Sequence, residues 1–107
     1  MKLRRLMQSA GLVMAAMLLM TSQASAVVEI QFWHAMGGVL GEHTEKIAND
    51  FNATQSEFKV VPVYKGNYTE TMTAAIAAFR AGQQPHIVQV FEVGTATMMA
   101  ARGAVYP

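Results

Sequence analysis

VPVYKGNYTETM, from Val61 to Met72, joins the end of a strand to the start of a helix and sets the fold class of the chain. The residues before the turn favour a strand, and Pro62, which has no amide hydrogen to donate, restricts that strand to an edge of a sheet. Gly66 allows a tight turn. Asn67 and Glu70 have the spacing of a capping box, which begins a helix. The stretch therefore predicts an edge strand that passes directly into a capped helix.

Strand and helix patterns also lie on both sides of this unit. Alternating apolar residues predict a strand over 27–34, and apolar residues three and four apart predict a helix over 39–53. After a helix that ends at Gly82, the apolar run 86–92 predicts a strand covered on both faces, and Thr95 is the predicted N-cap of a last helix. The order β-α-β-α-β-α predicts an α/β, doubly wound lobe with parallel strands.

The first 26 residues have the three-part pattern of a secretory signal. Three basic residues among the first five precede an apolar run, and the small residues ASA at 24–26 follow it. Polar residues shorten the apolar part below the roughly 20 residues of a membrane span, which favours a cleaved signal over an anchor. We therefore expect residues 1–26 to be a signal peptide and residues 27–107 to form the exported part.

The composition excludes several classes of function. Residues 27–107 carry seven acidic and five basic side chains, so no basic field indicates a nucleic-acid partner. The chain has no cysteine, which excludes disulfides and thiolate chemistry. His34, His43 and His86 lack the spacing of a metal motif, and the glycine and serine motifs of common enzymes are missing. We expect a protein that is not an enzyme and has neither a cofactor nor a metal.

Two side chains are candidates for ligand binding because they follow predicted strands. Ligands bind beyond the carboxyl ends of parallel strands, and Tyr68 and Glu92 are expected at that edge. A phenol offers a flat face and a hydroxyl, and a carboxylate accepts hydrogen bonds from the vicinal hydroxyls of a polyol or sugar. The alternatives are structural: a capped helix without a ligand for the turn, and a favourable contact between Glu92 and the next helix dipole.

Other residues at the same edge are weaker candidates. Trp33 and His34 could supply a stacking face and a polar group, although a tryptophan at a strand end is as often part of the core. Tyr64 could add a second phenol. We interpret Lys65 as a solvated turn residue, because exposed lysines at turns are ordinary.

Three groups of motifs resemble those of the extracellular solute-binding proteins of ABC importers, in their carbohydrate-binding branch. They are FW and FN around the first helix, R-x-G-x-x-P after the second, and YKGNY with VFEVGTATMMA. YKGNY and VFEVGTATMMA are most similar to the members that take up glycerol-3-phosphate, whereas the other motifs are shared across the branch. The resemblance implies a periplasmic, monomeric receptor with two lobes that close on a solute and deliver it to an ABC permease complex in the inner membrane.

The resemblance also assigns roles to residues and a place to the chain. Tyr68 and Glu92 match positions at which the family contacts the glycerol part of its ligand. Residues 27–107 match only the amino-terminal part of a two-lobe protein, about its first fifth, and we expect the phosphate-binding residues to lie beyond Pro107.

Three alternatives remain open from the sequence. The same fold could bind an oligosaccharide, which the wider family pattern equally permits. A periplasmic enzyme is a second alternative, and an interaction module that uses the Met- and Ala-rich last helix is a third.

Overall fold

The structure is a computed structural model that describes residues 25–106. The predicted signal peptide, except for its last two residues, lies outside this part, as does Pro107. Strands and helices alternate along the described chain: β1 (Val28–His34), α1 (Gly38–Thr54), β2 (Phe58–Tyr64), α2 (Tyr68–Arg80), β3 (Ile87–Val88) and α3 (Glu92–Ala100). The predicted β-α-β-α-β-α order is confirmed.

The three strands form one parallel sheet in the order β2-β1-β3. β1 pairs with β2 along its whole length, from Val28 opposite Phe58 to His34 opposite Tyr64. The chain passes from β1 to β2 on one side and then returns past β1 to β3 on the other. Right-handed crossovers in opposite directions place α1 and α2 on opposite faces of the sheet. This is the expected partial lobe of a doubly wound fold, and its strand order reverses at β1.

The outer edge of β2 is closed by a side chain from α1. The amide nitrogen of Asn52 donates to the carbonyl oxygen of Val60 (2.9 Å), and the Asn52 amide oxygen accepts from the Val60 backbone nitrogen (2.8 Å). The Asn52 side chain thus supplies to one residue of β2 the two hydrogen bonds that a further strand would make. Pro62 lies on the same strand, and the predicted edge position is confirmed within the described sheet.

The start of α2 shows the predicted capping box. The side-chain oxygen of Asn67 accepts from the Glu70 amide (2.9 Å), and the Glu70 carboxylate accepts from the Asn67 amide (2.7 Å). Gly66 has a φ of +96°, and a Cβ at this position would collide with the Glu70 carboxylate. A glycine is therefore required both by the backbone conformation and by the space that the cap occupies.

The last strand is shorter than the sequence predicted. Only Ile87–Val88 pairs with β1, and Ile87 is 47% exposed, so the prediction of a strand over 86–92 covered on both faces is wrong. Gln89 ends the ladder: its amide donates to the Trp33 carbonyl (2.9 Å), while its side-chain oxygen accepts from the Ala35 amide (2.9 Å).

The last helix begins earlier than predicted. Its N-cap is Phe91, which makes no side-chain capping bond, and Glu92 is the first helical residue. The prediction of Thr95 as N-cap is therefore wrong. The Thr95 hydroxyl instead donates to the Phe91 carbonyl one turn earlier (3.3 Å), a bond that a threonine inside a helix can make.

Much apolar surface of the described lobe is uncovered. The buried apolar side chains of the described residues are small, Ala48 on α1 and Ala75 on α2. Ile47 is 70% exposed, and with Phe51 it lines an apolar groove of about 430 Å³ between α1 and the sheet. Helix α3 likewise exposes apolar side chains. Among the described helices, none has the length and apolar character that crossing a membrane would need.

We predict that Asn52→Ala lowers the free energy of unfolding by about 1–3 kcal/mol, because both backbone groups of Val60 lose their half-buried partner. Asn49→Ala is the matched control, since Asn49 is exposed on the same helix and alanine is the better helix former. Urea denaturation of the chain measures both variants. Equal losses for the two variants would contradict the role of Asn52.

We predict that Asn67→Ala lowers the free energy of unfolding by about 1 kcal/mol through the loss of the cap, whereas Asn67→Ser retains most of it. Thermal unfolding followed by circular dichroism compares the three proteins. An alanine variant as stable as the parent would show that the capping box does not stabilise α2.

Candidate functional site

The loops after the three strands form a rim at the carboxyl end of the sheet. They comprise residues 35–37 after β1, 65–67 after β2 and 89–91 after β3. Backbone groups at the end of β1 join them, because the Lys65 amide donates to the His34 carbonyl (3.0 Å), and Gln89 bonds to Trp33 in β1 and to Ala35 directly after it. The rim is therefore one hydrogen-bonded unit rather than three independent loops.

Tyr68 and Glu92 both lie on this rim, each as the first residue of a helix. The Tyr68 ring packs against the ring of Phe91, with centroids 5.5 Å apart and planes tilted by 41°. Phe91 directly precedes Glu92 in the chain. The structure thus brings the two predicted ligand-binding residues onto neighbouring helix ends, and one aromatic contact joins them.

Close packing of α3 on α2 makes this arrangement possible. A Cβ at Gly94 would lie 3.0 Å from the sulfur of Met72 and 3.0 Å from a ring carbon of Phe91, tighter than most contacts that a Cβ makes, so these side chains would have to shift. Gly94 is buried. The missing side chain therefore lets the first turn of α3 approach α2 closely enough for Phe91 to reach Tyr68.

The two side chains are accessible and chemically different. Tyr68 is 40% exposed, and Glu92 is also exposed. Residues 25–106 contain two ion pairs, Lys46–Asp50 and Lys59–Glu29, and Glu92 belongs to neither. Glu92 lies in the first turn of α3, where the helix dipole favours a negative charge. The sequence predicted Glu92 at the end of a strand, whereas the structure has it as the first residue of a helix. Its side chain is exposed and therefore accessible to hydroxyl donors.

The weaker candidates at the rim divide between core and surface. His34 is only 2% exposed and is buried beneath the rim. The Lys65 ammonium lies 4.0 Å from the centroid of the Trp33 ring, a contact that its interpretation as a solvated turn residue did not include. Tyr64 is 56% exposed, and its hydroxyl lies beside Gly37. Neither Tyr68 nor Glu92 lines the apolar groove next to α1.

The sequence reasoning missed the residues that connect the site. Phe91, Gly94 and Thr71 were not singled out, although a glycine inside the helical pattern EVGTATMM is a signal of close backbone approach. His86 has a structural contact: its ring nitrogen Nδ1 accepts from the Gln31 amide (3.0 Å). Within residues 25–106, no cluster of three or more acidic or histidine side chains could hold a metal ion.

Comparison with known proteins identifies relatives of the chain. No family model matches it. It is 54% identical over 88 residues to the sn-glycerol-3-phosphate-binding periplasmic protein UgpB of Yersinia pestis bv. Antiqua (strain Antiqua), covering 82% of this chain and 20% of the relative. The proteins of the same name from Brucella suis biovar 1 (50% over 103 residues, 96% and 24% covered) and Rhizobium meliloti (55% over 85 residues, 79% and 20% covered) are similar.

The chain spans about a fifth to a quarter of the length of these curated relatives. Identity of one half or more extends over most of the chain, which confirms the resemblance to solute-binding proteins of ABC importers. The chain therefore belongs to the family of periplasmic binding proteins that these relatives represent.

Proposed function

We propose that the chain forms one wall of a binding site for sn-glycerol-3-phosphate or a glycerophosphodiester, within a receptor that binds its solute without chemistry. The relatives, which are sn-glycerol-3-phosphate-binding periplasmic proteins, support the ligand class. The observation that carries the proposal is the placement of Tyr68 and Glu92 on adjacent helix starts, joined by the Tyr68–Phe91 contact. This wall lies at the carboxyl end of the sheet, where doubly wound folds bind ligands.

The charge of Glu92 determines which part of the ligand this wall binds. A carboxylate repels a phosphate but accepts hydrogen bonds, and its two oxygens suit two vicinal hydroxyls. Glu92 therefore receives the hydroxyls of the glycerol part, while the face and hydroxyl of Tyr68 contact its carbon chain and an oxygen. Cationic and amide groups elsewhere in the longer protein bind the phosphate, as the opposite charge requires.

The same proposal places this wall in an exported receptor. Residues 1–26 act as a cleaved signal peptide, and residues 27–107 form part of one lobe of a monomeric periplasmic receptor. The receptor closes on its solute and delivers it to an ABC permease complex in the inner membrane. The three-part pattern of the first 26 residues and the periplasmic relatives support this setting.

A chimera tests the role of Glu92 in a protein of full length. Residues 27–106 replace the matching stretch of the Yersinia pestis relative, and titration calorimetry measures sn-glycerol-3-phosphate binding. We predict that Glu92→Ala weakens binding at least tenfold, because a charged hydrogen bond contributes about 1.5–3 kcal/mol. Glu42→Ala, which removes an exposed carboxylate from α1, is the control and leaves the affinity unchanged.

Two results would overturn this assignment. An affinity of the Glu92→Ala chimera within twofold of the parent would remove Glu92 from the site. A folded parent chimera that binds maltose more tightly than sn-glycerol-3-phosphate would favour the oligosaccharide alternative.

The same chimera separates the two contributions of Tyr68. We predict that Tyr68→Phe weakens binding about five- to tenfold through the lost hydroxyl, which is the usual net effect of one hydrogen bond. Tyr68→Ala weakens it further, because the ring face and the contact with Phe91 are lost as well. Tyr64→Phe, at the neighbouring exposed tyrosine, serves as the control. Equal affinities of the Tyr68→Ala variant and the parent would contradict the proposal.

A further inference from the structure

His34 is a polar side chain in a place that apolar residues usually fill. It is 2% exposed, and its neighbour Thr71 on α2 is 0% exposed. The ring packs between Phe32 (centroids 5.5 Å apart) and Tyr64 (6.1 Å). Because a buried polar group is costly unless it is bonded, the contacts of His34 indicate what its imidazole and backbone contribute.

His34 contacts the loop after β1, the loop after β2 and the first turns of α2. Its ring nitrogen Nδ1 accepts from the Met36 amide (3.3 Å). Its carbonyl oxygen accepts from the Lys65 amide (3.0 Å). The Thr71 hydroxyl lies 3.4 Å from the same oxygen and 3.5 Å from the Gly66 carbonyl oxygen, so its single proton is shared between the two acceptors. A single buried residue thus fixes two loops of the rim and the helix that follows the second.

Thr71 carries this constraint to Tyr68. The Thr71 amide bonds to the carbonyl of the N-cap Asn67 (2.9 Å), so Thr71 lies on the first hydrogen-bonded turn of α2. Tyr68 is on that turn, three residues earlier. A displacement of His34 therefore moves the backbone that presents the Tyr68 ring, although the two side chains make no contact of their own.

The two ring nitrogens of His34 have different surroundings. Because the Met36 amide donates to Nδ1, the proton of the neutral ring is on Nε2. Nε2 is buried and has no hydrogen-bond partner among the described residues. Of the two ring nitrogens, therefore, only Nδ1 makes a hydrogen bond within the described residues. Substitution by two amide residues distinguishes the roles of the two ring nitrogens. Asparagine places its side-chain oxygen near the position of Nδ1, and glutamine places its amide group near the position of Nε2.

We propose that His34 is the positioning residue of the polyol-binding wall: through Nδ1 and its carbonyl oxygen it holds the rim loops and α2 so that Tyr68 faces the ligand. His34 does not contact the ligand. The inference rests on the proposed function, because Tyr68 must be part of the binding site for its orientation to affect affinity.

The chimera described above tests the inference by titration calorimetry with sn-glycerol-3-phosphate. We expect His34→Gln, which loses the acceptor for Met36, to weaken binding at least tenfold, and His34→Asn to retain affinity within about threefold of the parent. Loss of affinity in both variants to the same extent, or in neither, would overturn the role of Nδ1.

A double-mutant cycle distinguishes positioning from general destabilisation. If His34 acts through Tyr68, His34→Gln costs at least tenfold in the parent but less than threefold in a Tyr68→Ala background. Equal costs in the two backgrounds would overturn the inference. Should His34→Gln not fold, Thr71→Val and Thr71→Ser replace it. We expect the valine variant, which loses the hydroxyl, to bind more weakly, and the serine variant, which keeps the hydroxyl, to retain the affinity of the parent. Equal affinities of the two variants would overturn the inference.

The parent chimera and the variants of the binding residues separate this inference from the proposed function. A parent that does not bind sn-glycerol-3-phosphate contradicts the proposed function. A parent whose affinity depends on Glu92 and Tyr68 but not on His34 contradicts the positioning role alone.

Discussion

The hydrogen bonds to the carbonyl oxygen of His34 connect the end of the central strand to the turn after β2 and to the start of α2. This oxygen is the last acceptor of the central strand, and the Lys65 amide and Thr71 hydroxyl both reach it. The bond from Lys65 fixes the turn after β2, and that from Thr71 fixes the start of α2. Because the acceptor and Thr71 are buried, water does not compete strongly for these bonds. The direction of α2, and with it the position of Tyr68, follows from the end of β1.

The second constraint is the close approach of α3 to α2. Gly94 leaves room for Met72 and Phe91, and Phe91 then contacts Tyr68. The aromatic contact brings the helix start that carries Glu92 next to the helix start that carries Tyr68. A hydroxyl-rich ligand matches these two groups, whereas a phosphate facing Glu92 would be repelled. The proposed ligand has a polyol part and an anionic part. In the proposed function, this wall binds only the polyol part.

Local signals in the sequence were sufficient for the elements that depend on neighbouring residues. The capping box at Asn67 and Glu70 and the edge position of Pro62 follow from chemistry within a few residues, and both are confirmed. The apolar run 86–92 was misread because apolarity alone does not set the length of a strand. Pairing with β1 ends at Val88, and Gln89 closes the ladder through contacts more than fifty residues away in sequence.

In the candidate site, too, the sequence predicted individual residues but not the packing that connects them. Tyr68 and Glu92 were selected because they follow predicted strands and match a family pattern, but their connection through Phe91 depends on how two helices pack. The burial of His34 likewise depends on two loops and a helix that meet only in the folded chain. A crystal structure of the chimera with sn-glycerol-3-phosphate tests most directly whether Tyr68 and Glu92 bind the glycerol part of the ligand. We expect glycerol hydroxyls at hydrogen-bond distance, about 2.5–3.0 Å, from the Glu92 carboxylate, with the Tyr68 ring against the glycerol carbons. A phosphate group bound at this wall, or a ligand that contacts neither residue, would contradict this assignment.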